Sequence, residues 1–146
     1  MPEPQSFKNH ARFDPLFHYA VAPFLLLNIL FSIALTIHHW PQHRVMMLWW
    51  DLLSIVLLLL AGIARGSALR AQDRIIRLEE RLRYQTLLSP EDLARSGNLT
   101  LRQIIGLRFA SDAELPALMR RAVDENLSEK QIKQAITAWR GDYYRV

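Results

Sequence analysis

Two long stretches without charged residues constrain the fold of this chain more than any other feature. Leu16 to Ile37 holds twenty-two residues with no Asp, Glu, Lys or Arg, and Val45 to Ala64 is interrupted only by Asp51. A helix rises about 1.5 Å per residue, so either stretch can cross a hydrocarbon core of roughly 30 Å. The link from His38 to Arg44 leaves room only for a tight reversal. We therefore expect two antiparallel transmembrane helices, spanning about 16–38 and 45–64.

Lys and Arg flank these two spans unevenly. Lys8 and Arg12 precede the first span and only Arg44 lies between the two, whereas six arginines follow the second: Arg65, Arg70, Arg74, Arg77, Arg81 and Arg83. Because cytoplasmic flanks carry the excess of Lys and Arg, both termini are expected to be cytoplasmic. Three aromatic residues around the turn are expected to anchor it at the membrane interface, where amphipathic rings are favoured: Trp40, Trp49 and Trp50.

Polar residues within the spans are candidates for contacts between the two helices. Asn28, Ser32 and Thr36 follow i, i+4, i+8 spacing, so they form one polar stripe on the first helix. In an antiparallel hairpin this stripe lies near Asp51, roughly 9 Å inside the outer end of the second span. An acidic residue at such a place can belong to a proton or ion pathway. Hydrogen bonding between helices is the favoured interpretation, because two helices alone enclose no pore.

Gly62 and Gly66 stand four residues apart at the inner end of the second span, among alanines and a serine. Small residues permit close contact between helices in a membrane. The pair predicts close packing against either the first span or another subunit.

The sequence offers no metal site, cofactor site or catalytic group. His10 and His18 lie at the opposite face of the predicted membrane from His38 and His39, so only half of these histidines could meet. The chain has no cysteine, and its Ser, His and acidic residues show no recognisable catalytic spacing. We therefore expect neither an enzyme nor a bound cofactor, and no small-molecule substrate is indicated.

The part of the chain after Arg65 is basic, with fifteen Lys and Arg against eleven Asp and Glu. No proline falls between residues 65 and 88, which predicts one unbroken helix leaving the membrane. Ala71, Ile75, Leu78 and Leu82 have 4-3-4 spacing and form an apolar stripe, which is enough for one packing seam but too short for a sustained coiled coil. Five arginines of this helix are candidates for docking anionic lipid or a partner: Arg70, Arg74, Arg77, Arg81 and Arg83.

Four capping boxes predict further helix starts, at Ser89, Thr100, Ser111 and Ser128. Pro116 is expected to delay the third of these helices by a turn, and Gly141 is expected to end the last. The predicted fold is all-α: a transmembrane helical hairpin continues into a long juxtamembrane helix and a small cytoplasmic helical bundle. Its parts are an N-terminal interfacial segment, the hairpin, an Arg-rich helix and the bundle, at residues 1–14, 15–64, 65–88 and 89–146.

Several longer motifs are spread over the chain, at residues 7–10, 12–18, 72–83, 107–116 and 139–146. Together they resemble a family of small bacterial two-span membrane proteins classed as a domain of unknown function, and the resemblance covers nearly the whole chain. It implies a bacterial inner-membrane protein and brings no activity, substrate or catalytic residues.

Three functions follow from these features. The favoured hypothesis is a non-catalytic membrane accessory subunit or scaffold, with the cytoplasmic bundle docking a protein partner or the chain forming a homo-oligomer in the membrane. The second is a basic module that binds anionic lipid or nucleic acid. Nucleic acid is disfavoured, because no RNA-binding motif or helix-turn-helix accompanies the arginines. The third is a small transporter or channel component that uses Asp51.

Overall fold

The computed structural model describes residues 5–7, 9, 14–40 and 42–142, and all its regular secondary structure is helical. A π-helical turn at Phe17–Val21 leads into α1, Ala22–His38, which is followed by α2, Arg44–Leu87. Four shorter helices complete the described chain: α3 Pro90–Ser96, α4 Leu101–Leu107, α5 Leu115–Asp124 and α6 Glu129–Ala135. The predicted all-α class is confirmed. Three residues used in the sequence analysis lie outside the described ones: Lys8, His10 and Arg12.

The first helical segment begins just after Asp14 and widens near a proline. The Asp14 carboxylate accepts a hydrogen bond from the Phe17 amide at 3.2 Å, as an N-cap should. Pro23 has no amide hydrogen to donate to the carbonyl one turn earlier, and its ring crowds that turn. The wide π turn directly before α1 accommodates this disruption.

Helix α2 runs for 44 residues without a break. It contains no proline, and its composition changes from apolar to charged after Ala64 while the helix continues. This continuity confirms that the predicted second span and the Arg-rich segment are one helix.

Contacts divide the chain into two compact units. Phe13–Leu69 forms what we call the apolar unit, and Met1–Arg12 with Arg70–Val146 forms what we call the helical domain. In the apolar unit the most buried side chains are two serines, Ser32 and Ser54, each 1% exposed. The large apolar side chains around them face outward, and within the most apolar 18-residue window of each long helix only 6% is buried.

Capping residues begin three of the four short helices of the helical domain, as predicted. The Ser89 hydroxyl accepts from the Asp92 amide. Thr100 forms a full capping box with Gln103, and Ser128 forms one with Gln131. In each box a hydroxyl and a side-chain amide satisfy amide groups that the first helical turn leaves without partners.

One predicted helix end is wrong, and the error lies near an acidic residue. Helix α5 begins at Leu115, about one turn after Ser111, as the delay expected from Pro116 predicts. Helix α6, however, ends at Ala135, well before Gly141. The Glu114 carboxylate explains this error, since it accepts from the Thr137 amide at 3.0 Å and from the Ala138 amide at 3.3 Å. These bonds hold the chain in an extended form, and Trp139 forms an isolated bridge with Ala110.

A single hydrophobic core fills the helical domain. Its buried members come from α2, α4, α5, α6 and the connections between the short helices: Tyr84, Leu99, Ile104, Leu107, Phe109, Ala110, Leu115, Leu118, Met119, Ala122, Leu127, Ile132 and Ile136. Gln103 is buried beside this core, and its side-chain amide donates to the carbonyls of Ala122 and Leu127, at 3.1 Å each. Those two bonds join α4 to the end of α5, where Asn126 adopts a left-handed φ of 47°.

The face of α2 that packs into this domain differs from the one predicted. Ile76, Glu80 and Tyr84 are 5%, 4% and 2% exposed and form the buried row. Ile75, Leu78 and Leu82 of the predicted seam are more than half exposed, so the seam makes no core within the described chain. The core accepts Glu80 because arginines lie beside its carboxylate, and that pairing cannot be read from apolar spacing.

Leu107→Ala should lower the free energy of unfolding by about 2–5 kcal/mol, because Leu107 is fully buried and its loss leaves a cavity. Leu101→Ala in the same helix is the matched control, since Leu101 is 38% exposed and should cost much less. Urea unfolding of the detergent-solubilised chain, followed by circular dichroism, measures both. Equal losses for the two variants would contradict the assigned core.

Candidate functional site

Two hydrogen bonds join the helices of the apolar unit through polar side chains. The Asn28 amide donates to the Ser54 hydroxyl at 2.7 Å, and the Thr36 hydroxyl donates to the Asp51 carboxylate at 2.7 Å. The predicted polar stripe thus faces α2 at two of its three positions. Ser32, the third, donates to the Ile29 carbonyl of its own helix at 2.9 Å. Its small size lets the helices approach, and it does not bond Asp51.

Ser54 is the member of this group that the sequence analysis missed. It lies three residues after Asp51 and therefore on the same face of α2, which is the signal that could have found it. Asp51 is half-buried, and its second carboxylate oxygen has no hydrogen-bond partner among the described residues. A carboxylate held by one hydroxyl is suited to fixing the register of two helices.

Gly62 does not bring the two helices of the apolar unit together. A Cβ atom built on it would meet nothing within 4 Å, so its surface is open. Gly66 is half-buried. Packing of Gly62 against another subunit, the second alternative of the sequence analysis, stays a prediction.

Exposed aromatic rings lie in the turn between α1 and α2 and in the first turns of α2. Trp40, Trp49 and Trp50 are each at least half exposed, and their role as interface anchors stays a prediction. His38, His39 and His43 lie near one another, with ring centroids 4.8 and 6.4 Å apart along the series. Among the described residues no group of three His, Cys, Asp or Glu could hold a metal ion.

Arg83 is the centre of an ionic cluster in the helical domain. Its guanidinium bonds the Asp112 carboxylate at 2.7 Å, the Ala110 carbonyl at 2.7 Å and the Glu80 carboxylate at 3.1 Å. The side chain is only 9% exposed. Arg83 was predicted to dock lipid or a partner, but its donors are used inside the domain, so we remove it from that set.

Glu80 is the buried acid of this cluster. Its carboxylate also contacts the Arg140 guanidinium at 3.3 Å, across 60 residues of sequence. Burial raises the pKa of the Glu80 carboxyl above its usual value, and this outweighs the opposite effect of Arg83, Arg140 and Arg108. Burial and the Glu80 charge also raise the pKa of the Tyr84 hydroxyl. The cluster can hold the segment around Arg140 against α2.

The N-terminal segment and the C-terminal end of the helical domain meet beside this cluster. The Gln5 side chain donates to the Asp142 carbonyl at 3.0 Å and accepts from the Asp142 amide at 2.8 Å. The Asp142 carboxylate lies 3.4 Å from the Arg108 guanidinium, which stacks over the Phe109 ring. These contacts have no signal in local sequence, because they join residues far apart in the chain.

The other four predicted docking arginines form a surface stripe. Arg70, Arg74, Arg77 and Arg81 are all exposed and repeat at 4-3-4 spacing along α2. At 100° per residue they share one face of the helix. We call this set the Arg stripe.

An open groove of about 620 Å³ lies at the starts of α4 and α6. Leu127 and Gln103 lie in its lining, and Arg102, Lys130 and Lys133 supply cations. Lys133 and Arg102 both pair with Glu129, at 2.6 and 3.6 Å, and the Arg102 side chain is 76% exposed. A shallow apolar floor with exposed cations at its edge is suited to an acidic, partly apolar segment of another protein.

The whole chain matches one protein-family model. Residues 1–146 match the Family of unknown function (DUF6526), so the chain belongs to that family. No curated protein and no solved structure matches it. The resemblance noted from the motifs is therefore confirmed as far as the family is concerned.

Arg83→Met should lower the free energy of unfolding by about 3–5 kcal/mol, because it leaves the buried Glu80 carboxylate without its nearest cation. Arg81→Met, two residues away and exposed, is the matched control and should change stability by about 0.5 kcal/mol or less. Urea unfolding reports both values. A mild effect of the Arg83 substitution would show that the cluster does not hold the domain together.

Glu80→Gln should stabilise the helical domain relative to wild type at neutral pH, and this difference should shrink as the pH falls from 7 to 4. The folded-state pKa of Glu80 is raised above the ordinary 4.5, so the folded protein binds the proton more tightly than the unfolded chain. The wild type consequently gains stability from this group as it protonates, whereas glutamine has nothing to titrate. Glu91→Gln removes the same charge at an exposed position of α3 and is the control. A difference that grows on acidification would contradict the sign.

Proposed function

We propose that this member of the DUF6526 family is a non-catalytic integral membrane accessory subunit or scaffold, anchored by a two-helix hairpin. Both termini face the cytoplasm of a bacterial cell. The helical domain lies on that side and docks a protein partner. The anchor and the docking surface rest on different observations.

The exposed apolar surface of the two long helices carries the proposal. Phe17–His38 and the apolar part of Arg44–Leu87 are long enough to span a bilayer, and their side chains point outward over most of their length. Soluble proteins rarely expose an apolar surface of this extent. Lipid provides the surroundings in which such side chains are stable, and each helix satisfies its own backbone hydrogen bonds there.

Other origins of an apolar helix fit this chain less well. The core helix of a soluble protein is buried by its neighbours, whereas here only 6% of each apolar window is buried. A cleaved signal sequence is a single N-terminal segment, but a second apolar segment follows after a short turn and continues into a domain core. A paired hairpin with polar contacts at Asn28 and Thr36 favours a permanent anchor.

The docking part of the proposal rests on the groove at the starts of α4 and α6. Its exposed cations, Arg102 and Lys130, are not needed to close the hydrophobic core. A partner with an acidic and partly apolar segment would neutralise these cations and cover the groove's apolar floor.

The Arg stripe supports a second candidate function, the binding of anionic lipid. Four exposed arginines on one helix face favour a negatively charged surface, and each cation near such a surface gains about 1 kcal/mol. Partner docking at the groove and lipid binding at the Arg stripe use different residues. Reversing the charges of the groove or of the Arg stripe therefore tests each of the two functions by itself.

The chain lacks cysteine, so single introduced cysteines report topology without background. In spheroplasts, a membrane-impermeant maleimide should label Gln42→Cys in the turn between α1 and α2. Glu91→Cys in α3 should be labelled only after lysis. The chain should also stay in the membrane pellet through alkaline carbonate extraction. Release by carbonate, or equal labelling of both cysteines before lysis, would refute the proposed anchor.

Mild-detergent extraction followed by size analysis and mass spectrometry tests docking in the same preparations. We expect a stoichiometric partner that is lost in the double variant Arg102→Glu with Lys130→Glu and kept in Arg77→Glu with Arg81→Glu. The reverse pattern, with reduced binding to vesicles of anionic lipid, would support the lipid-binding function instead. A chain that carries no stoichiometric partner would refute the accessory-subunit role.

A further inference from the structure

An apolar row on α2 has no partner within the described helical domain. Ile75, Leu78 and Leu82 are 56%, 60% and 55% exposed, and Ala71 precedes them on the same face. We call these four residues the apolar stripe. Three large aliphatic side chains exposed side by side outside the predicted spans indicate a surface that another molecule covers.

The apolar stripe points away from the core of the helical domain. At 100° per residue it lies on roughly the opposite side of α2 from Ile76, Glu80 and Tyr84, which form the buried row. The domain's own packing therefore leaves this face accessible.

The spacing of the apolar stripe continues toward the N-terminus of α2 in the sequence. Positions that alternate steps of four and three residues are apolar eight times in succession: Leu57, Ala61, Ala64, Ala68, Ala71, Ile75, Leu78 and Leu82. This is the a and d pattern of a heptad repeat over about four heptads, the length at which it indicates a coiled coil. All eight positions fall within one uninterrupted helix, Arg44–Leu87.

Side chains along this heptad repeat become larger where α2 is proposed to leave the membrane and enter water. Alanine occupies the four positions from Ala61 to Ala71, and small residues let helices approach closely in lipid. Larger side chains follow at Ile75, Leu78 and Leu82, where water makes the burial of apolar area favourable. The alanine half of the repeat therefore suits helix packing in lipid, and the half with larger side chains suits helix packing in water.

Charged residues beside the apolar stripe specify how a second helix would lie. Arg74 and Glu79 flank the stripe on opposite sides, at the g and e positions of the heptad, and both are exposed. In a parallel pair of helices, a g residue faces the e residue five positions later in the other chain, so Arg74 of one copy meets Glu79 of the other. An antiparallel pair would place Arg74 against cations of the same flank.

We propose that a second copy of this chain covers the apolar stripe, so that two α2 helices form a parallel, in-register coiled coil. A two-fold interface needs one surface that complements itself, and an apolar centre with a cation on one flank and an acid on the other meets that requirement. The parallel direction also follows if both copies share one membrane orientation, and that argument rests on the proposed function.

Cysteine cross-linking tests the interface directly in membranes that contain the full-length chain. Leu78→Cys lies at a d position, where the two copies of one residue approach within disulfide distance in a parallel dimer. Arg77→Cys, one residue earlier and turned away from the stripe, is the matched control. Mild oxidation should give at least tenfold more covalent dimer for Leu78→Cys than for Arg77→Cys. Equal yields would overturn the proposal.

Charge exchange tests the pairing without touching the apolar residues. Arg74→Glu alone should weaken dimerisation about tenfold, because it places acids opposite Glu79 in both symmetric pairs. Adding Glu79→Arg to the same chain should restore the dimer by reversing each pair. A double variant as weak as the single one would overturn the parallel register. Circular dichroism of both variants is the control for folding.

The tests of the dimer and the tests of the proposed membrane anchor can fail independently. Resistance to carbonate extraction tests the anchor, and size analysis by light scattering in detergent gives the number of copies. A carbonate-resistant chain that is monomeric in every mild detergent, with no Leu78→Cys cross-link in membranes, refutes the dimer alone. A cross-linked dimer that carbonate releases refutes the anchor and leaves the coiled coil standing.

Discussion

The structure depends on the internal hydrogen bonding of α2. Every amide of a helix beyond its first turn bonds to a carbonyl one turn earlier, so the backbone needs nothing from its surroundings. This lets one helix of 44 residues pass from an apolar sequence to a charged one without a break. Only the side chains differ between the apolar part and the charged part of the helix. Beyond Leu69 the helix offers three different faces: the buried row, the Arg stripe and the apolar stripe.

Buried charge gives the helical domain its specific arrangement. Burying Glu80 costs free energy, and Arg83 and Arg140 offset much of that cost only when the chain around residues 110 and 140 lies against α2. An apolar residue at position 80 could be buried in several orientations of α2 against the domain. A buried carboxylate restricts α2 to orientations in which arginines lie beside it. Gln103 has a similar role at α4, since its amide bonds two carbonyls at the end of α5. Polar groups thus select among the arrangements that the hydrophobic core permits.

Features fixed by neighbours in sequence could be predicted, and features fixed by distant partners could not. The two apolar helices, the continuity of α2 and the caps at Ser89, Thr100 and Ser128 depend on residues within one or two turns. The early end of α6 depends on Glu114, more than twenty residues before it. The choice of the face containing Ile76 over the face containing Ile75 depends on arginines up to 60 residues away. The spacing of Asn28, Ser32 and Thr36 predicted a polar stripe on α1. Ser54 could be identified as a partner of Asn28 only once the pairing of the two helices was known.

The distance in sequence between Glu80 and Arg140 also sets an order of events during synthesis. All residues of the apolar unit have been made once Leu69 leaves the ribosome, so its two helices can pair while the rest of the chain is still being translated. The helical domain must wait, because its core includes Ile136 and its ionic cluster includes Arg140. During that interval the end of α2 exposes Ile76 and Tyr84 together with a Glu80 carboxylate that still lacks Arg140. A ribosome that stalls before Arg140 has been made would therefore hold a paired hairpin joined to an unfinished, aggregation-prone domain.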